Sequence, residues 1–587
     1  MSGQMGAPTD AVGIFREARD LARNGQVARA QALAARLRGL ARTAATLGLA
    51  LGEATPQATG QAAGQTRSGT AGDRAVALAG TLAGADAVPL LLALAEALLD
   101  AGCPAEADAV LQHALRQDPA DPDVLWRRAE ALLELGEVPA SHDLALMVQA
   151  RHPRSPMVAA GAAHMLNYLP GIALDQTRAA HAAFASAVQP EQPLPPSRPR
   201  RCPRPLRLAF VSPDLYTHSV AFFLEPVLSN RHLLHPHGAE VLLVNTGVRH
   251  DATTERLVAA AGGPTHFVDA GPVSGLSAAE VVAAVRAWQP GGASAASDAE
   301  PGVDIAIDLA GLTPFNGLHL FAHRLAPLQL TWLGYPNTTA LPQMDARIVD
   351  ALTDPPEASS PCTERLIRMA GPFVCYRPPP AVPDVAPIRP ADAPVTFGSF
   401  NIARKISDPC AALWARVLAS VPGSRLVVKS ATLASPASRR RLADRLVRAG
   451  IPPDRLSVLS PVAGVQENLA AYQQIDVALD TWPYCGTTTT CEALLMGVPV
   501  VSLTGETHAS RVGASVLAAI GQPQWAARSA DEFVQQAAAL ATLGDPARPP
   551  PGALRQRLLQ SPLCDASGFA RRFGEALTVA LAAVPAS

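Results

Sequence analysis

The stretch "IDVALDTWPYCGTTTTCEALLMGVPVVSL", residues 475–503, holds two apolar β-branched runs around a loop and a helix start. Continuous apolar runs suit strands covered on both faces of a sheet. Pro483 and Gly486 mark the loop, and four threonines, Thr487, Thr488, Thr489 and Thr490, stand where the helix begins. Threonine is a poor helix former and a good N-cap, but a cap needs only one. The first N–H groups of a helix lack internal partners, and the helix dipole adds positive charge there. With hydroxyl donors added, the four threonines read as a cradle for a diphosphate that uses no P-loop. Glu492 then falls in the first helical turn, where a carboxylate accepts both hydroxyls of a ribose. The same residues also read as an ordinary threonine-capped helix with a first-turn acid.

Outward from this stretch, the pattern is α/β alternation. "LRLAFVSPD", "EVLLVNTG", "VDIAIDLAG" and "LQLTWLGYP" form a first series of strands, and "VTFGSF", "SRLVVKS", "RLSVLSP", "IDVALD" and "VPVVSL" a second. Pro-rich stretches at 189–205 and 376–394 punctuate them. The expectation is two Rossmann-like domains in tandem, 206–390 and 391–587, with a ligand cleft at the carboxyl ends of their parallel strands.

Upstream, "AEALLDAGCPAEADAVLQHALRQDP" is echoed by "AEALLELGEVPASHDLALMVQARHP", and Gly102 to Gly136, Pro119 to Pro153 and Ala95 to Ala129 are each separated by 34 residues. That period is the signature of tetratricopeptide helix–turn–helix repeats. Repeats plus bridging helices are expected over 86–188, a Pro/Arg linker over 189–205, a flexible Gly/Ala/Thr/Gln linker over 50–85, and a degenerate, repeat-like helical segment over 1–49.

Bulk properties exclude several classes. The 587 residues are 48% hydrophobic and 17% charged with a net charge of -2, which is a globular chain without the basic excess of a nucleic-acid or anionic-membrane binder. No leader pattern opens the chain, and no apolar run is long enough to span a membrane. The eight cysteines form no CxxC pair, so reduced thiols in a cytoplasm are expected, without structural zinc. Of 48 basic residues only Lys405 and Lys429 are lysines. Lys405, beside Arg404 in "FGSFNIARKISDPC" after a strand, is the favoured contact for the diphosphate's extra charge, and Lys429 a weaker one. Asp214 and His218 follow another strand in "FVSPDLYTHSVAFFLE", a spacing that suits a general acid/base pair or a hydrogen-bonded loop. "WLGYPNTTALPQMD" is a Gly/Pro/Asn loop that lets backbone approach a sugar.

The stretches "VSPDLYTHSVAFFLE", "RLAPLQLTWLGYPNTT", "FGSFNIARKISD", "LDTWPYCGTTTTCEALLMGVPVV" and "GETHASRVGAS" resemble the tetratricopeptide-linked protein O-glycosyltransferases, that is, the O-GlcNAc transferases and their Spindly-type relatives. The wording looks closer to the Spindly branch. The resemblance implies a GT-B enzyme, inverting and metal-independent. It would move one sugar from UDP-GlcNAc or GDP-fucose to Ser or Thr of proteins engaged by the repeats, with no cofactor. It implies roles for His218, Asp214 and, on the bridging helix, His181 in the active site. Lys405 would meet the diphosphate, Thr488 and Thr489 the helix-start phosphate, Glu492 the ribose, and Leu333, Gly334 and Pro336 the sugar. Thr487 stands where the animal enzymes have a histidine. Val465, Asn468, Ala471 and Ile402 replace the residues expected at the base clamp. Two other readings stay open: a glycosyltransferase with a non-protein acceptor, and a catalytically silent repeat scaffold.

Overall fold

The computed structural model describes residues 87–192, 205–290, 301–385, 390, 393–462, 464–542 and 549–582, together with Gly72, Val76 and Ala79. The expected helical segment 1–49, most of the linker 50–85, and 193–204 of the Pro/Arg linker lie outside the described residues. Gly72, Val76 and Ala79 are helical, which corrects the linker reading at those positions. Ala79 is buried in the apolar core of the first repeat and Val76 packs against it, so the repeat orders apolar side chains that the sequence pattern left unassigned.

The described chain compacts into two units. The first contains the residues up to Arg151 together with 400–406 and 428–462. Its helices Val88–Asp100 and Pro104–Gln117 form one hairpin, and Pro122–Glu134 and Val138–Arg151 a second. Each hairpin turns on a left-handed glycine, Gly102 at φ +69° and Gly136 at φ +78°. At the second turn Gly136 N–H donates to Leu133 O and Glu137 N–H to Leu132 O, a Schellman closure that only glycine makes without strain. Pro104 and Pro122 open their helices at positions where the missing N–H costs nothing. Leu91, Ala107, Leu111, Val124 and Ala131 fill the core between them.

The second unit contains 152–399, 407–427 and the residues from 463 onward. Helices Pro156–Met165 and Leu174–Ala187 lead into it. A seven-stranded sheet follows in the order β3-β2-β1-β4-β5-β6-β7. Its strands are β1 Leu206–Ser212, β2 Ala239–Asn245, β3 Phe267–Asp269, β4 Ile305–Asp308, β5 Leu328–Thr331, β6 Ala346–Asp350 and β7 Arg365–Met369, all paired in parallel. A six-stranded sheet runs β10-β9-β8-β11-β12-β13, of which β10 and the last residues of β9 are counted with the first unit. Its strands are β8 Thr396–Ser399, β9 Arg425–Lys429, β10 Leu456–Leu459, β11 Val477–Leu479, β12 Val500–Leu503 and β13 Ala526–Ala527. Both orders reverse direction after their first strand, at β1/β4 and at β8/β11, which is the doubly wound arrangement that leaves a crevice at the switch point. Every strand run named from the sequence is a strand; β3, β6, β7 and β13 are additional.

Candidate active site

The loop after β11 is built on Asp480. Its Oδ1 accepts from Thr481 N–H at 2.8 Å and Gly486 N–H at 2.7 Å, and its Oδ2 accepts from Ser502 Oγ at 2.7 Å. This buried carboxylate shapes the turn that delivers the threonines. The helix spans Thr488–Leu495, with Thr487 as its N-cap residue at φ −114°, ψ −71°. The Thr487 side chain makes no cap hydrogen bond, so the ordinary capped-helix reading fails here. Thr490 Oγ1 instead donates back to Gly486 O at 3.0 Å. Thr487, Thr488 and Thr489 are half-buried.

Glu492 lies in the second turn, not the first, because Gly486 is held by Asp480 and the helix begins only at Thr488. The Glu492 carboxylate is buried, and its Oε2 accepts from Tyr472 Oη and from Asn468 Nδ2, each at 3.2 Å. Asn468 thus belongs to the support of Glu492. Burial and the neighbouring Glu492 both hold the Tyr472 phenol protonated.

The loop after β5 is fastened from several sides. Leu333 adopts φ +76°, and a Cβ on Gly334 would sit 1.8 Å from Leu309 O, so the backbone passes against the β4 loop where only glycine fits. Leu333 and Gly334 are half-buried, while Pro336 is buried. Tyr335 Oη accepts from Asn167 Nδ2 at 3.1 Å and lies 2.8 Å from His181 Nε2. His181 Nδ1 is 2.7 Å from Thr177 O, an acceptor only, so Nδ1 carries the proton and Nε2 accepts from the Tyr335 hydroxyl. Burial drives the His181 pKa down to about 4, which keeps the ring neutral. His181 therefore has both nitrogens engaged within the protein. Glu364, also buried, accepts from Thr338 Oγ1 and from Thr339 N–H and Oγ1 within 2.7 Å.

After β1, Asp214 and His218 come together, with Nδ1 at 3.7 Å from Asp214 Oδ2. His218 caps the helix Ser219–Ser229, its Nδ1 accepting from Val220 N–H at 3.3 Å. The proton of the neutral ring is then on Nε2. Burial raises the Asp214 pKa against the pull of His218 and Arg249. The His218 side chain is 38% exposed, in contrast to His181 at 0%.

In the first unit, Lys405 closes the short turn Ala403–Lys405 after β8 and is half-buried. Lys429 is buried, with Nζ 4.4 Å from the centre of the Phe400 ring.

Residues 203–376 and 388–571 match glycosyl transferase family 41, and 98–165 match a tetratricopeptide repeat. The chain belongs to glycosyl transferase family 41. The probable UDP-N-acetylglucosamine–peptide N-acetylglucosaminyltransferase SPINDLY of Solanum lycopersicum is 38% identical over 375 residues, 63% of this chain and 38% of that protein. The corresponding SEC protein of Arabidopsis thaliana aligns over 397 residues at 25% identity. The chain thus spans well under half the length of these plant relatives. A mutant O-GlcNAc transferase from Thermobaculum terrenum superposes with a TM-score of 0.75 at 27% identity, covering 98% of each chain. Tetratricopeptide hairpins before two Rossmann-like sheets are thus the GT-B architecture of a family 41 member. No described helix is long and apolar enough to cross a membrane.

Sequence reading missed the parts that Asp480, Tyr335, Asn167 and Glu364 play in the candidate site. Asp480 carried a usable signal, an acid at the end of a strand run, seven positions before Thr487. Tyr335 and Asn167 carried none, since their pairing joins residues 168 positions apart.

Proposed function

We propose that the protein is an inverting, metal-independent glycosyltransferase that moves one sugar from a nucleoside diphosphate sugar to Ser or Thr hydroxyls of acceptor proteins. The observation that carries this reading is the helix start at Thr487–Thr490, which is shaped by a buried aspartate yet has no side-chain cap. Its N–H and hydroxyl donors suit a diphosphate.

In the proposed reaction the acceptor oxygen attacks the anomeric carbon opposite the diphosphate. The new C–O bond forms as the bond to the diphosphate breaks, and the diphosphate leaves with the electron pair. Lys405 and the threonine donors stabilise that charge, so Lys405→Ala lowers turnover roughly a hundredfold or more. The hydroxyl proton passes to Asp214, directly or through water, while His218 offers its Nε2–H as a donor. His181, with both nitrogens engaged, acts by positioning the sugar-side loop Leu333–Pro336 through Tyr335. Glu492, held by Tyr472 and Asn468, is assigned to the ribose. The repeats engage the acceptor protein.

UDP-GlcNAc is the donor suggested by the names of the relatives, and GDP-fucose the one implied by the Spindly-like wording. Thermal unfolding with UDP, GDP, UDP-GlcNAc and GDP-fucose separates them. A ligand at a hundred times its Kd adds about 2.7 kcal/mol of apparent stability. Stabilisation by the uridine or by the guanosine compounds selects the donor, and stabilisation by neither in folded protein sinks the diphosphate cradle.

A further inference from the structure

Ala403 and Arg404 before Lys405, and Ile406 after it, are held by Ser430, by Glu134 of the second repeat and by Arg445. Ala403 is fully buried and its N–H donates to Ser430 Oγ at 3.0 Å. Arg404 Nη1 meets Glu134 Oε1 at 2.5 Å, the last residue of the helix Pro122–Glu134. Ile406 O accepts from Arg445 Nη2. The buried Arg445 also donates from Nη1 to Gly136 O at 2.6 Å and to Leu135 O at 3.3 Å, so one guanidinium holds both the repeat turn and the chain after Lys405. The fit is tight, since a Cβ on Gly136 would lie 2.4 Å from Ala403 O and from Arg445 Nη1. One turn earlier on the helix Pro436–Arg448, Arg441 binds Glu137 through two bonds of 2.6 and 2.8 Å and the fully buried Asp108 at 2.7 Å.

We infer that the repeat turn Glu134–Glu137 is a positioning element for Lys405, so that the second repeat sets the rate of sugar transfer itself and does not serve acceptor recruitment alone. The inference rests on the reading of Lys405 as the contact for the leaving diphosphate. The physical reason is geometric. A lysine ammonium stabilises a leaving group only from the right place, and a displacement of about 1 Å costs as much as a hundredfold in rate. Glu134 holds the Arg404 side chain before that lysine, and Arg445 holds the Ile406 carbonyl after it.

The test uses the full chain, with UDP-GlcNAc and GDP-fucose as donors, and reads donor hydrolysis and transfer to a short synthetic serine peptide. Neither needs acceptor recruitment by the repeats. Glu134→Gln is expected to lower kcat for both at least tenfold with the peptide KM unchanged. The exchanged pair Glu134→Arg with Arg404→Glu restores most of the loss, which a variant that merely unfolds does not do. In a Lys405→Ala background, Glu134→Gln has no further effect. An unchanged kcat in Glu134→Gln while Lys405→Ala is slow overturns the inference alone. Full turnover in Lys405→Ala overturns the reading of the lysine, and the inference with it.

Discussion

Two helices of the second sheet begin in contrasting ways. The helix Ala530–Ala541, after β13, starts at Ser529 with extended backbone, φ −142° and ψ 160°, and the Ser529 hydroxyl accepts from Glu532 N–H at 3.2 Å. Asp531 and Glu532 in its first turn add negative charge against the dipole. The helix Thr488–Leu495 has neither device. Thr487 is already turned to φ −114°, ψ −71°, so its hydroxyl does not cap, and no acid lies in the first turn. One helix start neutralises itself, and the other is left electropositive with hydroxyls around it. If the threonine start holds the proposed diphosphate, the difference teaches that such an N-terminus is recognised by what the chain withholds from it, since Ser and Thr are preferred at both kinds of start.

The comparison breaks most visibly if the second start is made to resemble the first. Thr488→Asp places a first-turn acid where the diphosphate is proposed to bind. Donor affinity, measured by calorimetry, is expected to fall on the order of a hundredfold from the introduced like charge, while stability rises by about 0.3–1 kcal/mol. An unchanged Kd would show that the threonine turn holds no phosphate.

The loop 332–340 sharpens the contrast, because its polar groups are satisfied within the protein. His181 has its pKa lowered to about 4 by burial, against about 6.5 in the unfolded chain. The unfolded state therefore takes up a proton between pH 6.5 and 4 that the folded state does not, and stability falls as pH drops through that window. The size is about 3 kcal/mol, read by denaturant unfolding at several pH values, and this component is absent in His181→Asn. Tyr335→Phe removes the hydroxyl shared by His181 and Asn167 and leaves two buried polar groups short of a partner. It is expected to destabilise by about 1–3 kcal/mol and to lower kcat more than it raises the donor KM. An equal rise in KM would place the loop in donor binding instead of positioning. The smallest effect belongs to the capped helix. Ser529→Ala costs about 1 kcal/mol in thermal unfolding, with donor affinity unchanged.

Much of this was legible in the chain. Strand runs such as "LRLAFVS" and "VPVVSL" are continuous and apolar, and the structure buries them on both faces. β13 is the two-residue Ala526–Ala527, β3 the three-residue Phe267–Asp269, and β7 carries two arginines, so none of them has a run long or apolar enough to stand out. The 34-residue echo placed both repeat turns at their glycines. Within the candidate site, the threonine run, the closeness of Asp214 to His218, and the tight Gly334 loop were legible because each is local. Glu492 was put one turn too early because the place where a helix starts depends on Asp480, which holds Gly486 out of it.

By itself, then, the sequence determined the alternation of strands and helices, the repeat, and the residue types at the strand ends, because these follow from short-range periodicity and backbone preference. Only the tertiary structure decided which of those residues are already spoken for. It ties His181 to Tyr335 across 154 positions, and Glu134 to Arg404 across 270. Whether a histidine or a lysine-bearing turn is available for chemistry is set by such long-range partners and by burial, and neither is encoded in the spacing of its neighbours.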